Sequence, residues 1–361
     1  MIKNLFFYYF LIIFFIFMLS NENTTEFSAL AASSYSNNTT INTSSEKIDD
    51  FTLMIYIIGS DLETKSYEAT KDINEMIKGN LTRPNINLIL QTGGAPEKTD
   101  EIRKIDFSKV QRHQIYDHKI NTLDNLGSVN MGDVTTLSNF INWTVTNYPA
   151  KKYGLILWDH GAGIKGFGKD TNFEGDAIHL TEFISLQNLP IEVSNFEKFE
   201  FIGFDSCLMA TAEISHILRS ISNFLVSSQE IEPDWGWNYT DIINSISSNS
   251  NTTGDFIGKQ IIKSYIKDSQ RISKEKEYHA DRDITLSVID LKRIPAFDKK
   301  MDELIQDAIK ELKNQNSHFK VMQTVDLTES FGKTAESSIG VIDLSDFLNN
   351  LSKPILPNSA K

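Results

Sequence analysis

Apolar residues fall along this chain in short β-branched and aromatic runs, separated by longer stretches with helical spacing. Phe51–Ile58, apolar apart from Thr52, predicts a buried strand that breaks at Gly59-Ser60-Asp61. Leu62, Ala69, Ile73 and Ile77 then share one helical face, and that pattern stops near Gly79. Ile86–Gln91 predicts a second buried strand, ending before Gly93-Gly94, while Ile102–Phe107 and Arg112–Tyr116 alternate like a hairpin at a sheet edge. Asp133 stands where it would cap a helix running to Tyr148, ahead of Pro149. Tyr153–Trp158, Phe199–Phe204 and Phe224–Ser227 predict three more buried strands. Buried strands alternating with helices predict an α/β protein with a mostly parallel sheet covered on both faces. In such sheets function collects at the carboxyl ends of the strands.

The two ends read differently. Lys3 precedes an uncharged apolar run, Leu5–Leu19, whose 15 residues suit a signal-peptide core. A membrane span needs about 20. A small-x-small site at Ala29-Leu30-Ala31 lies well past that run, so residues 1–19 read as a signal peptide or an N-terminal membrane anchor. Residues 20–50, rich in Asn, Ser and Thr, read as a disordered leader. Residues 51–244 form the sheet-bearing domain. Beyond a Ser/Asn-rich gap, residues 245–361 turn helical, with Phe256–Ile272, Pro295–Leu312 and one strand at Ile284–Leu291, and are expected to pack on it as an extension.

Composition narrows the function. Of 361 residues, 40% are hydrophobic and 23% charged, which is enough apolar material to bury a core. A net charge of −13 without a basic block argues against nucleic acid as a partner. One cysteine excludes an intramolecular disulfide and any multi-cysteine metal site.

That cysteine lies in an unusual place. The strand Tyr153–Trp158 runs into Asp159-His160-Gly161-Ala162-Gly163, and Phe199–Phe204 runs into Asp205-Ser206-Cys207-Leu208-Met209-Ala210. His160 and Cys207, 47 residues apart, each follow a buried strand, the gap a right-handed crossover needs to return to the same sheet edge. An imidazole beside a thiol can favour the thiolate and protonate a leaving amine. The glycines after His160 allow a backbone N–H to approach a substrate carbonyl. A helix opening at Leu208 would set its N-terminal dipole beneath the sulfur. A lone cysteine is more often buried filler, but Asp205 and Ser206 are poor packing neighbours. Ser206 lacks the G-x-S-x-G elbow of a serine hydrolase. His113, His118, His179, His216, His279 and His318 lack ligand-like spacing and read as packing or surface residues. Trp235, Trp237 and Tyr239, at every second position, fit either a cleft lining or an edge strand.

The segments around His160 and Cys207 resemble the His and Cys motifs of the clostripain family of cysteine peptidases. So do Met54–Glu63, Glu232–Tyr239 and Thr285–Leu291, and the resemblance spans residues 51–351. It implies a caspase-like α/β/α sandwich around a mostly parallel sheet, with a helical C-terminal extension. It implies an exported cysteine endopeptidase acting through a Cys207–His160 dyad and an acyl-enzyme. Gly161 and Cys207 would form the oxyanion hole, and cleavage would follow Arg, then Lys. Asp205 matches an acidic residue of the pocket for that basic side chain, with Asp234 as its second acid. Relatives are often activated by a cut between the two motifs, for which Lys165 and Lys169 are the candidates. The sequence requires no cofactor; calcium enters by resemblance only, and protein or peptide substrates are the expected partners.

The chain departs from the family at Ser228-Gln229-Glu230, where Ser-Glu-Glu is common, and at Pro233-Asp234-Trp235-Gly236-Trp237, where Pro-Gly-Asp-Gly-Trp is common. It ends soon after Phe347, where relatives continue, and reads as a short or truncated member. The rival reading is a catalytically inert relative serving as an anchored binding or adhesion module. Such relatives tend to lose the Cys or the His, and this chain keeps both.

Overall fold

The computed structural model describes residues 48–96, 99–100, 105–189, 196–249, 252–276, 284–311, 315–332 and 340–352. The apolar run expected to direct export lies outside the described residues, as do 20–47 of the polar leader.

Eight strands form the main sheet: β1 (Phe51–Ile58), β2 (Ile86–Gly93), β5 (Val110–Tyr116), β6 (Lys119–Gly127), β7 (Tyr153–Trp158), β10 (Phe199–Asp205), β11 (Ser222–Ser227) and β12 (Ser287–Asp290). Three two-stranded ladders fill the remaining numbers: β3 (Thr99–Asp100) with β4 (Ile105–Asp106), β8 (Phe167–Asp170) with β9 (Asp176–Ile178), and β13 (Ser330–Phe331) with β14 (Val341–Ile342). The order across the sheet is β12-β11-β10-β7-β1-β2-β5-β6. The five central strands are parallel, and antiparallel strands close both edges.

Alternation along β1 feeds two cores. Leu53, Ile55 and Ile57 belong to a cluster shared with Ile73 and Met76 of α2 (Glu68–Lys78), Ile242 and Ile246 of α5 (Tyr239–Ser248), and Ile257 and Ile261 of α6 (Gly254–Lys276). On the other face the Tyr56 ring lies 6.0 Å from Phe140 of α3 (Val134–Asn147), and Phe204 packs edge-on against Phe167 and Phe183. Each fully buried Leu, Ile or Phe contributes roughly 1.5–3 kcal/mol, which is why these strands admit few polar residues. Asp133 caps α3 by accepting the Thr135 N–H at 2.7 Å, as expected.

The structure revises four local expectations. The helical pattern from Leu62 to Ile77 is two helices, α1 (Ser60–Ser66) and α2, because Tyr67 takes a left-handed φ of 59° between them. Arg112–Tyr116 falls in β5, one strand in from the sheet edge, and its hairpin partner, the edge strand itself, is Lys119–Gly127, a segment too polar to announce itself; Ile105–Asp106 pairs instead with Thr99–Asp100. Trp237 and Tyr239 line neither an open cleft nor an edge strand, being fully buried beneath the sheet's end. The sheet also crosses the boundary expected at 244/245. β12 pairs with β11, and α6 packs into the main core, so this part of the extension completes the sandwich.

Candidate active site

The register of the parallel strands brings the motifs together. β1, β7 and β10 are neighbours, with Ile57 opposite Trp158 and Trp158 opposite Asp205. His160 and Cys207 therefore each lie two residues beyond a matched pair on adjacent strands, which are about 4.8 Å apart. Their loops touch. A Cβ on Gly161 would lie 2.1 Å from the Cys207 carbonyl oxygen and 2.9 Å from Ser206 Oγ, so only glycine fits there. Neither the Gly161 nor the Cys207 N–H is committed to another backbone carbonyl among the described residues.

The helix expected at Leu208 starts later. α4 (Ala212–Leu218) opens after Thr211, whose hydroxyl accepts the Ile214 N–H at 3.2 Å. Residues 207–208 instead form a turn with Leu208 at φ 65°, a strained conformation for a bulky residue. A helix dipole therefore does not act on the sulfur from directly beneath. The donor is the backbone of a facing loop: the Glu232 N–H reaches Cys207 Sγ at 3.3 Å. Burial pushes the thiol above its ordinary pKa, the Glu232 N–H opposes that, and Asp205 and Glu230 add to the rise.

Behind Cys207 lies a group of buried carboxyls. Asp205 is 6% exposed, and its Oδ2 accepts from Tyr239 Oη at 2.8 Å and from the Trp237 N–H at 3.4 Å. It does not cap α4. Desolvation raises its pKa to about 6. Glu232, 8% exposed, faces Asp205 and Cys207; desolvation and then the Asp205 charge push its pKa well up. Both Glu232 carboxylate oxygens, Tyr265 Oη and Trp237 Nε1 are buried and, among the described residues, make no hydrogen bond of good geometry, though Asp205 and Trp237 lie close enough to Glu232 to act on its charge. Asp72, which accepts from Trp158 Nε1 at 2.7 Å, is raised by desolvation first and by Asp205 next. Among the described residues no lysine or arginine pairs with Asp205 or Glu232. Asp234, expected as the second acid of the pocket, is exposed; the fold sets Glu232 against Asp205 instead. Glu232 escaped the sequence reading because its neighbour Asp234 fits the family pattern better.

His160 stands in the opposite setting. Its side chain is 41% exposed, and Nε2 meets Asp61 Oδ1 at 3.0 Å. Asp61 also takes Lys65 Nζ at 2.8 Å and Lys169 Nζ at 3.5 Å. The Lys65 hydrogen bond and then the His160 one hold its carboxyl well below the usual range. Lys165, itself exposed, ends a single turn, Gly163–Lys165, whose first residue is buried, whereas Lys169 lies within β8 and donates its N–H to Asp159 Oδ2 at 2.5 Å. Among the described residues no group of three or more His, Cys, Asp and Glu side chains is placed to hold a metal ion.

Comparison with known proteins fits this geometry. Clostripain of Hathewaya histolytica is 27% identical over 216 residues, covering 51% of this chain and 40% of that protein, so the chain spans well under half of that relative. A secreted C11 cysteine protease from Bacteroides thetaiotaomicron, solved with an irreversible peptide inhibitor, superposes with a TM-score of 0.60 at 19% identity, over 85% of this chain and 79% of that one. An inactive zymogen C11 protease from Parabacteroides distasonis gives 0.59 at 20% identity, over 85% and 79%. These likenesses establish the caspase-like fold. The sequence model of the clostripain family matches residues 55–354, through both loops and on across the sheet's far edge, and the chain belongs to that family.

Proposed function

We propose that the chain is an exported cysteine endopeptidase that cleaves after Arg, and less well after Lys, with Cys207 as nucleophile and His160 as general acid and base. The observation that carries the specificity is the buried Asp205–Glu232 pair beside Cys207, which no cation of the described protein neutralises. A guanidinium offers two parallel N–H donors to such a pair, and an ammonium fewer in a less fitting shape. An acidic or large apolar side chain would leave buried carboxyls uncompensated.

The chemistry then runs in two halves. His160 takes the thiol proton, and Cys207 Sγ attacks the scissile carbonyl carbon. The uncommitted N–H groups of Gly161 and Cys207 face the developing oxyanion. His160 returns the proton to the leaving amine as the C–N bond breaks, leaving a thioester on Cys207. Water, deprotonated by His160, hydrolyses the thioester and restores the thiol. An internal cut fits Lys165 better than Lys169, because the Lys169 backbone is held in a ladder beside buried Asp170. Intact mass followed during activation separates the two sites.

The apolar run at residues 5–19 and the secreted relative support export. Among the described residues no helix is long and apolar enough to cross a membrane. A panel of fluorogenic peptides varied at P1, run on wild type and Cys207→Ala, tests the reading: Arg should lead, Lys follow, and Cys207→Ala be silent. A folded wild type that cleaves none of them and takes no iodoacetamide at Cys207 would favour the inert binding module.

A further inference from the structure

We propose that Asp61 is a positioning residue for His160, fixing which ring nitrogen carries the proton and turning the other toward Cys207. This rests on the peptidase reading of the His160–Cys207 site. The placement follows from topology. Asp61 follows β1, His160 follows β7 and Cys207 follows β10, three adjacent parallel strands ending at one edge. His160 follows the middle of the three strands, with Asp61 beyond the end of one neighbour and Cys207 beyond the end of the other.

The contact dictates a tautomer. An ionised carboxylate only accepts, so the 3.0 Å approach of His160 Nε2 to Asp61 Oδ1 puts the proton on Nε2. Nδ1 is then the nitrogen free to exchange a proton with the thiol and the leaving amine. Asp61 stays ionised because Lys65 and Lys169 hold it from the other side.

Asp61 lies in the first turn of α1, and the junction between β1 and that helix is built to stay put. Ser60 takes a φ of 47°, a costly value for a residue with a Cβ, and residues so strained cluster at functional sites. Its hydroxyl donates to Asp159 Oδ1 at 2.6 Å, and the Gly59 N–H donates to the Gly93 carbonyl at 2.7 Å. Asp159, immediately before His160, is 3% exposed and also accepts the Lys169 N–H. One buried carboxyl thus ties the β1–α1 junction to the histidine loop.

The test compares Asp61→Ala, Asp61→Asn and Asp61→Glu with wild type. On a peptide with Arg at P1, Asp61→Ala should lower kcat by about ten- to hundredfold, the scale for a partner that orients a reacting group, with KM within about twofold. Asp61→Glu should restore most of the loss, and Asp61→Asn should fall between. Ring ¹⁵N shifts of His160 should show the Nε2–H tautomer in wild type and a mixture in Asp61→Ala. A kcat for Asp61→Ala within about twofold of wild type, a loss confined to KM, or identical His160 tautomers in the two proteins would overturn the proposal. Should Asp61→Ala fail to fold, a kcat for Asp61→Asn equal to wild type overturns it. The ring shifts need no turnover. If wild type cleaves nothing the peptidase reading fails, while the tautomer still decides the role of Asp61.

Discussion

The two flanks of the site handle charge in opposite ways. On the His160 flank, Asp61 is ionised, partly exposed and matched by Lys65, Lys169 and the imidazole. On the Cys207 flank, Asp205, Glu232 and Asp72 are buried together with no cation among the described residues. Their pH signs differ accordingly. Asp61 has a depressed pKa, so it contributes stability above the ordinary carboxylate range that is lost on acidification. Asp205 has a raised one, so the folded state binds the extra proton. Its contribution is present below its ordinary 3.8 and is lost as pH rises through about 6. The first flank is complete as folded, whereas the second is electrostatically unfinished, its carboxyls facing no cation of the described protein.

The harshest break removes the chemistry shared by both flanks. Cys207→Ala should abolish hydrolysis, and His160→Ala should lower turnover by roughly 10² or more, the usual scale for acid–base loss. Neither change should move the melting temperature far, since His160 is partly exposed and Cys207→Ala removes only a half-buried sulfur. Progress curves with an Arg substrate decide it. Near-full activity in His160→Ala would leave Cys207 without the partner assigned here.

The asymmetry also explains what could be read from the sequence. β1 and β7 run from the first to the last residue expected, because a strand buried on both faces must be apolar throughout. His160 and Cys207 were legible for a related reason: each interrupts such a strand's end with polar and glycine residues that no core would select. β6 was not legible, since an edge strand open to water carries no such constraint. Nor was the Glu232–Cys207 contact, which joins residues 25 apart through a loop without periodicity. Pairing Asp61 with His160 likewise depends on β1 lying beside β7, which strand patterns alone do not specify. The supposed helix at Leu208 failed because the turn at φ 65° delays α4 to Ala212.

Neutralising the Cys207 flank should separate function from stability. Asp205→Asn keeps an acceptor for Tyr239 Oη but removes a buried charge, and Glu232→Gln removes the carboxyl opposite it, whose ionisation burial and Asp205 already oppose. Cleavage after Arg should fall at least about tenfold for each, which is one charge-assisted contact. The free protein should become more stable at pH 7, by on the order of 1–3 kcal/mol. Below about pH 5 the gain should vanish, because wild-type Asp205 is then protonated. Thermal melts from pH 4 to pH 8, run beside the P1 panel, read both effects. Unchanged Arg preference in both variants would remove the carboxyl pair from the pocket.

The smallest effect tests whether the His160 flank is as fully compensated as it looks. Lys65 is 74% exposed and contacts Asp61 at 2.8 Å from one helical turn away. Exposed pairs of this kind contribute about 0.2–1 kcal/mol and weaken with salt. Lys169 and His160 still face Asp61 when Lys65 is gone, so the carboxylate keeps cationic neighbours. Lys65→Met should therefore lower stability by less than about 1 kcal/mol at low salt, and the difference should shrink toward zero near 1 M. The sign is opposite to that of Glu232→Gln. On this flank removing a charge uncovers a partner, while on the other it relieves a crowd. Melts of Lys65→Met and Glu232→Gln at low and high salt measure that contrast directly. A loss for Lys65→Met that persists at high salt would show that the His160 flank, too, depends on a buried and unshared charge.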